Sequence, residues 1–176
     1  MKVLMPLTDG FEEIEAMTAL DIMRRAGFDL VTAGIPSSML TGANGAKITT
    51  DKKLDNVNAE EFNALILVGG PGYKNLANSN KVLEIVRDFN ENKKIIAAIC
   101  MAPTILAKAG IINDRKATIY PGQERHIPRP RGDRVVVDGN IITSQAPGTA
   151  IDFALKIVEV MGGKDKVNKI KRDLVC

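Results

Sequence analysis

Two short runs of this sequence consist almost entirely of apolar residues, and each ends abruptly. One run spans residues 64–68 and stops at glycines, and the other spans residues 94–99 and stops at Cys100. A strand with one solvated face alternates apolar and polar residues, so an unbroken run indicates a strand that is buried on both faces. Such strands occur almost only in parallel sheets covered by helices on both sides. These two runs therefore favour an α/β fold.

The rest of the sequence supports this architecture, because segments with strand and helix patterns alternate along the chain. The alternation predicts a mostly parallel sheet between two layers of helices. The predicted strands cover residues 2–7, 28–33, 64–68, 94–99 and 116–120, with a hairpin over 135–143 and a possible edge strand at 46–49. The predicted helices cover residues 12–26, 79–92 with Asn78 as its cap, 101–109 directly after the strand, 147–161 and 165–173.

Composition excludes several classes of protein. With 176 residues, of which 45% are hydrophobic and 26% charged, the chain can bury the core of one ordinary domain over residues 1–176. A net charge of +3 is too small to indicate nucleic acid binding, and no apolar run approaches the ~18 residues of a membrane span. Two cysteines and one histidine offer no zinc-type cluster. We therefore expect a cytoplasmic protein without a metal, a membrane or a nucleic acid partner.

Cys100 is the first candidate functional residue, because it lies where a buried strand turns into a helix. Binding sites in parallel sheets form at the carboxyl ends of the strands. The free N–H groups and the dipole of a helix N-terminus favour a thiolate, so this position predicts a lowered pKa for Cys100. A free cysteine is also often an inert buried residue, and position alone leaves both interpretations open.

The glycine-rich segment Gly69-Gly70-Pro71-Gly72 is the second candidate, and it lies at the same edge of the predicted sheet. A turn of this kind leaves backbone N–H groups free to bind an oxyanion, although ordinary turn chemistry explains the glycines equally well. Neither the P-loop pattern nor GxGxxG is present, which disfavours nucleotide binding.

Acidic residues at the start of the first helix form the third candidate. Glu15 has apolar residues at i+4, i+7 and i+11, so this side chain is expected to face inward, where burial raises the pKa of a carboxyl group. Glu12 lies over a similar apolar stripe, and both residues also complement the helix dipole. The periodicity therefore does not choose between them.

His126 is the only histidine of the chain and lies in a basic, proline-rich stretch. A cysteine nucleophile often has a histidine base. The composition of this stretch indicates a solvated loop, so we favour a surface position for His126 over a catalytic one.

Five segments, taken in order, resemble the ThiJ/PfpI superfamily, and most closely its parkinsonism-associated protein deglycase branch. They are GFEEIE (10–15), DIMRRAG (21–27), VGGPG (68–72), AAICMAP (97–103) and TSQAPGT (143–149). The resemblance implies a flavodoxin-like three-layer sandwich of the class I glutamine amidotransferase-like type, with no cofactor and usually a homodimer or higher homo-oligomer. It also implies that Cys100 is the nucleophile and Glu15 its acid partner, with Gly69, Gly70, Met101 and Tyr120 binding the substrate oxygen or the substrate.

Three positions depart from the pattern of this superfamily. Met101 stands where peptidase-like members carry a histidine, Tyr120 where the deglycase branch often has one, and Asn44 where relatives often have an arginine. The resemblance then implies a cysteine paired with an acid. We expect a glyoxalase or deglycase acting on a small aldehyde such as methylglyoxal or on a glycated protein. The alternatives are a redox sensor that works through oxidation of Cys100 and, less favoured, a cysteine peptidase.

Overall fold

The computed structural model describes residues 1–176, and nine strands form two sheets. Seven strands make one sheet in the order β5-β2-β1-β6-β7-β9-β8, in which only β8 is antiparallel to its neighbour. Strands β3 and β4 form a separate antiparallel pair. In chain order the strands are β1 (Lys2–Thr8), β2 (Asp29–Ile35), β3 (Met39–Thr41), β4 (Lys47–Thr49), β5 (Lys52–Lys53), β6 (Ala64–Leu67), β7 (Ile95–Ile99), β8 (Val135–Asp138) and β9 (Ile141–Ser144).

Helices cover both faces of the large sheet, as the two apolar runs predicted. Strands β6 and β7 lie in its middle, and alternate residues of β7 face two different apolar clusters: Ala97 and Ile99 face one, Ile96 and Ala98 the other. The helices are α1 (Glu13–Arg25), α5 (Ala150–Gly162) and α6 (Lys164–Leu174) against the first cluster, and α2 (Tyr73–Asn78), α3 (Asn80–Glu91) and α4 (Pro103–Ala109) against the second.

Several predicted boundaries were wrong, each for a local reason. Helix α3 is capped by Ser79 rather than Asn78, since its Oγ accepts a hydrogen bond from the Val82 N–H at 3.3 Å. Helix α4 begins only at Pro103, after a turn, and does not follow the strand directly. The possible edge strand at 46–49 is β4, which pairs with β3 and not with the large sheet.

Residues 116–120 do not form the predicted strand. Side chains take two of the N–H groups that a strand ladder would need: Asp138 accepts from Lys116 at 2.8 Å, and Thr143 accepts from Thr118 at 2.9 Å. Only one isolated bridge, between Ala117 and Pro130, remains. The segment therefore runs as an extended loop from the β8–β9 turn to the carboxyl end of β7, where the Tyr120 N–H donates to Cys100 O at 3.0 Å.

Strand order defines the edge where a site can form. When the short β5 and the antiparallel β8 are left out, the order of strands across the sheet is β2-β1-β6-β7-β9. Numbered along the chain, these five strands lie in the order 2-1-3-4-5, which is the flavodoxin-like order. Strand β1 lies between β2, which follows it in the chain, and β6, which the chain reaches only after passing back across β1. The connections on the two sides of β1 thus run in opposite directions, and such a switch point opens a crevice at the carboxyl ends of the strands. None of the helices combines the length and the apolar content needed to cross a membrane.

Candidate active site

Cys100 occupies a strained elbow at the carboxyl end of β7. Its φ is +64°, a left-handed conformation that costs free energy for a residue with a Cβ. Two backbone hydrogen bonds hold it there: its N–H donates to Ser144 O at 3.0 Å, and its carbonyl accepts from Tyr120 N at 3.0 Å. The residue is 7% exposed. A sharp strand-to-helix turn of this kind presents a nucleophile at the top of a sheet.

Glu15 reaches the cysteine from helix α1, as its apolar stripe indicated. Its side chain is fully buried, and Oε2 accepts a hydrogen bond from Gly69 N at 2.7 Å. Its Oε1 has no partner elsewhere in the protein, and the thiol of Cys100 is within hydrogen-bonding reach of the carboxyl group. Glu12 instead caps the helix, accepting from Glu15 N at 2.7 Å. The structure thus selects Glu15, the choice that periodicity had left open.

The glycine turn after β6 directs one backbone N–H group at each of the two reactive side chains, Glu15 and Cys100. The N–H of Gly69 binds Glu15, so it is not available to a substrate oxygen, contrary to the role predicted for it. The N–H groups of Gly70 and Met101 both face the sulfur of Cys100 and lower the pKa of its thiol. Gly70 has a φ of +81°, and a Cβ there would lie 2.5 Å from both Glu12 N and Gly10 O. Only glycine fits this position.

Burial dominates the electrostatics of the pair. It raises the pKa of Glu15 to about 7, against which the Gly69 hydrogen bond acts. Burial also raises the pKa of Cys100, as does an ionised Glu15, whereas the N–H groups of Gly70 and Met101 lower it. The lowered cysteine pKa predicted from the helix N-terminus was wrong in direction, because α4 starts two residues later, at a proline without an N–H, and a carboxyl group faces the sulfur.

Two negative charges are costly in one buried site, so this pair retains at least one proton around neutral pH. Below about pH 7 the Glu15 carboxyl is protonated and can donate to the sulfur; above it, the carboxylate can accept the thiol proton. Glu15 can therefore act as the acid or base that a histidine supplies elsewhere.

An open cavity of about 440 Å³ leads to the sulfur. It is lined by Cys100, Gly70, Met101 and Tyr120, all predicted to belong to the site, and Tyr120 is 44% exposed. It is also lined by residues that sequence reasoning missed: Pro71, Tyr73, Lys74 and Gln123. Tyr73 and Lys74 lie on α2, a helix of six residues that was not predicted because no apolar periodicity can be read over so short a length.

Two other residues considered from the sequence do not reach the cavity. His126 is exposed, and its Nε2 accepts from the Arg125 side chain at 3.3 Å, consistent with the predicted surface loop. Asn44 is held by Glu13, which accepts from its backbone N–H at 2.6 Å and from its side-chain amide at 3.0 Å. No three metal-binding types of side chain come together anywhere in the chain.

An α/β sandwich with a cysteine at a strained elbow and a buried carboxylic acid beside it defines a class of cysteine-centred α/β proteins. The model of the DJ-1/PfpI family matches residues 1–160, and the chain therefore belongs to that family. This confirms the resemblance seen in the five sequence segments and the flavodoxin-like fold inferred from it.

Relatives across distant organisms share nearly the whole chain. Protein dj-1beta of Drosophila melanogaster is 37% identical over 178 residues, covering 98% of this chain and 95% of that protein. A glutathione-independent glyoxalase of Caenorhabditis elegans is 34% identical over 98% of this chain and 94% of its own length. A deglycase of Pyrococcus abyssi is 30% identical over 92% of this chain and 99% of its own length.

Solved structures agree with the same fold. The crystal structure of Drosophila DJ-1beta superposes with a TM-score of 0.95 at 36% identity, covering 99% of this chain and 97% of that one. The oxidized DJ-1 of Toxoplasma gondii gives a TM-score of 0.96 at 32% identity, with the same coverage.

Proposed function

We propose that this protein is a cofactor-independent enzyme that converts reactive α-oxoaldehydes such as methylglyoxal, free or as protein adducts, into 2-hydroxy acids. The observation that carries the proposal is the position of the Cys100 sulfur, between the Glu15 carboxyl and two backbone N–H groups at an open cavity. The names of the Caenorhabditis and Pyrococcus relatives, a glyoxalase and a deglycase, support this chemistry.

The reaction begins when the sulfur of Cys100 bonds to the aldehyde carbon of methylglyoxal, giving a hemithioacetal. Its oxygen lies where the N–H groups of Gly70 and Met101 can stabilise the developing negative charge. The thiol proton passes to that oxygen. Glu15 then moves the proton of the former aldehyde carbon to the neighbouring carbonyl carbon through an enediol, while the hydroxyl proton transfers to the former ketone oxygen. The product is a thioester of lactate, which water hydrolyses to lactate and the free thiol.

The overall reaction needs no external oxidant. One water is added, the aldehyde carbon is oxidised to a carboxylate, and the ketone carbon is reduced to an alcohol. Glu15 is suited to both proton steps because a pKa near 7 allows it to give and take a proton at neutral pH. Tyr120 lines the cavity, which supports a role in orienting the substrate.

Lactate formation tests the proposal. We expect purified wild-type protein to produce lactate from methylglyoxal, Cys100→Ala to produce none above the uncatalysed rate, and Cys176→Ala to match the wild type. Equal lactate from the wild type and Cys100→Ala would exclude the proposal.

A redox-sensing role is a second candidate, favoured by the anion-stabilising groups around the sulfur. A thiolate that attacks hydrogen peroxide forms a sulfenate and water, and a second peroxide gives a sulfinate. The N–H groups of Gly70 and Met101, with a protonated Glu15, can hold the sulfinate oxygens. Mild peroxide treatment should oxidise Cys100 before the exposed Cys176, as detected by mass spectrometry. Oxidation of Cys176 first would exclude this role.

The homodimer or higher homo-oligomer implied by the resemblance, and a cytoplasmic location, stay predictions. Light scattering on purified protein measures the first directly. A monomer at micromolar concentration would contradict it.

A further inference from the structure

Lys74 gives the cavity a charge that the proposed reaction with methylglyoxal does not use. Eight residues line the cavity, and Lys74 is the only lysine, arginine, aspartate or glutamate among them. It lies in the first turn of α2, which directly follows the glycine turn that holds the cysteine. Lys74 is exposed and therefore borders the same open cavity as Cys100.

No other side chain neutralises this lysine. The seven ion pairs of the structure do not include it, and it donates no side-chain hydrogen bond. The acid of the neighbouring loop, Glu124, does not line the cavity, and its carboxylate accepts from Gly122 N at 2.9 Å. Glu15 is fully buried behind the cysteine. The accessible part of the cavity is thus electropositive.

The size of the cavity allows a substrate longer than methylglyoxal. At about 440 Å³ it falls within the range of small-molecule pockets, whereas methylglyoxal has only three carbons. A substrate whose aldehyde reaches Cys100 leaves room for a tail beside Lys74, Tyr73 and Gln123. A cation in a concave site attracts and orients an anionic tail.

We propose that Lys74 is a specificity-determining residue that directs the site to α-oxoaldehydes with a carboxylate tail. This inference rests on the proposed function and names its substrate class. A representative probe is 4,5-dioxopentanoate, whose aldehyde and ketone are those of methylglyoxal and whose far end is a carboxylate. Attack by Cys100, proton transfer from the aldehyde carbon to the ketone carbon, and hydrolysis by one water convert it to 2-hydroxyglutarate without an oxidant.

Alkylation of Cys100 tests the charge without requiring catalysis. Iodoacetate is anionic and iodoacetamide is its neutral counterpart, and each forms a bond from sulfur to carbon with loss of iodide. We expect the ratio of their rate constants at Cys100, measured by mass spectrometry, to fall about fivefold in Lys74→Gln and further in Lys74→Glu. Lys169→Gln removes the same charge from the exposed face of α6 and should leave the ratio unchanged. A ratio that is the same in the wild type and Lys74→Gln overturns the inference.

Substrate kinetics provide the second test. We expect kcat/KM for 4,5-dioxopentanoate relative to neutral 2-oxohexanal to fall about fivefold or more in Lys74→Gln, and the wild-type preference to shrink at high salt. If neither aldehyde is converted, the proposed function fails, while the alkylation ratio still decides the role of Lys74. If both are converted and Lys74→Gln leaves their ratio unchanged, the proposed function stands and the specificity inference is wrong.

Discussion

Cys100 combines a strained backbone with a sulfur that is mostly shielded from water. The left-handed backbone conformation of Cys100 costs a free energy on the order of 1–3 kcal/mol. Two backbone hydrogen bonds offset this cost, one donated by Cys100 N to Ser144 O and one accepted by Cys100 O from Tyr120 N. The position faces the sulfur toward Glu15, and the carboxyl group in turn is held by Gly69 N. No histidine lines the cavity, so the proposed mechanism assigns the proton chemistry to Glu15.

Replacement of Glu15 by glutamine should therefore remove catalysis while keeping the shape of the site. We expect the kcat for lactate formation to fall about 100-fold or more, the usual contribution of a general acid or base. Glu12→Gln is the matched control, because it makes the same chemical change at the residue that caps helix α1. We expect the kcat of this variant to stay within about twofold of the wild type. Equal losses in both variants would show that Glu15 acts only through the helix.

The two central residues were predictable from the sequence for different reasons. The end of an unbroken apolar run marked Cys100, whereas the helical apolar stripe allowed either Glu12 or Glu15 to face inward and only the family resemblance chose Glu15. The direction of the cysteine pKa was not predictable, because it depends on a carboxyl group that approaches from a helix 85 residues earlier in the chain. The same applies to Lys74, since nothing local shows which face of a six-residue helix borders the cavity.

At the scale of elements, the turn between β6 and α2 positions most of the site. Its first glycine binds Glu15 and its second directs an N–H at the sulfur, while the turn packs against the residues that follow β1. Glu12 N donates to Gly69 O at 3.1 Å and Gly72 N donates to Gly10 O at 2.9 Å, which ties the two turns together. The glycines are thus required by close backbone approach as well as by conformation.

Gly70→Ala should destabilise the fold for both reasons, since a Cβ would meet two backbone atoms at 2.5 Å. We expect the free energy of unfolding, measured with urea, to fall by more than about 2 kcal/mol. Gly148→Ala, where nothing lies within 4 Å of the added Cβ, should change it by less than about 0.5 kcal/mol. A Gly70→Ala protein as stable as Gly148→Ala would mean that the turn relaxes freely.

Elements were predictable where their own side chains determine burial, as for β6 and β7, whose apolar runs reach the fully buried core. The segment at 116–120 alternates polar and apolar residues like a strand with one solvated face, yet it forms no strand because Asp138 and Thr143 accept from two of its N–H groups. Those partners come from β8 and β9, later in the chain. Short elements whose hydrogen bonds depend on distant side chains cannot be assigned from local sequence.

At the scale of the whole molecule, the buried acid links stability to pH. The carboxyl of Glu15 ionises near pH 4.5 in the unfolded chain and near 7 in the folded protein. Between those values the folded state binds the extra proton, so the stabilisation from this group is complete below pH 4.5 and is lost as the pH rises to 7. This loss of stability comes from burying the Glu15 carboxyl where the β1–α1 and β6–α2 segments pack together.

Chemical denaturation at several pH values checks this linkage. We expect the free energy of unfolding of the wild type, relative to Glu15→Gln, to fall by about 3 kcal/mol between pH 4.5 and pH 7.5. The glutamine variant supplies the control, because it lacks the Glu15 carboxyl and keeps every other titratable group of the chain. A difference between the two proteins that does not change with pH would contradict the raised pKa of Glu15.

The central claim is that Glu15 controls the reactivity of Cys100, and the pH profile of Cys100 alkylation by iodoacetamide tests it most directly. Mass spectrometry follows Cys100 and the exposed Cys176 in the same sample, so Cys176 serves as an internal reference for the reagent. The coupled pair predicts that the wild-type rate at Cys100 changes near pH 7, where Glu15 titrates, and that this step is absent in Glu15→Gln. If the wild-type rate at Cys100 shows no step near pH 7, or Glu15→Gln shows the same step, the claim is wrong.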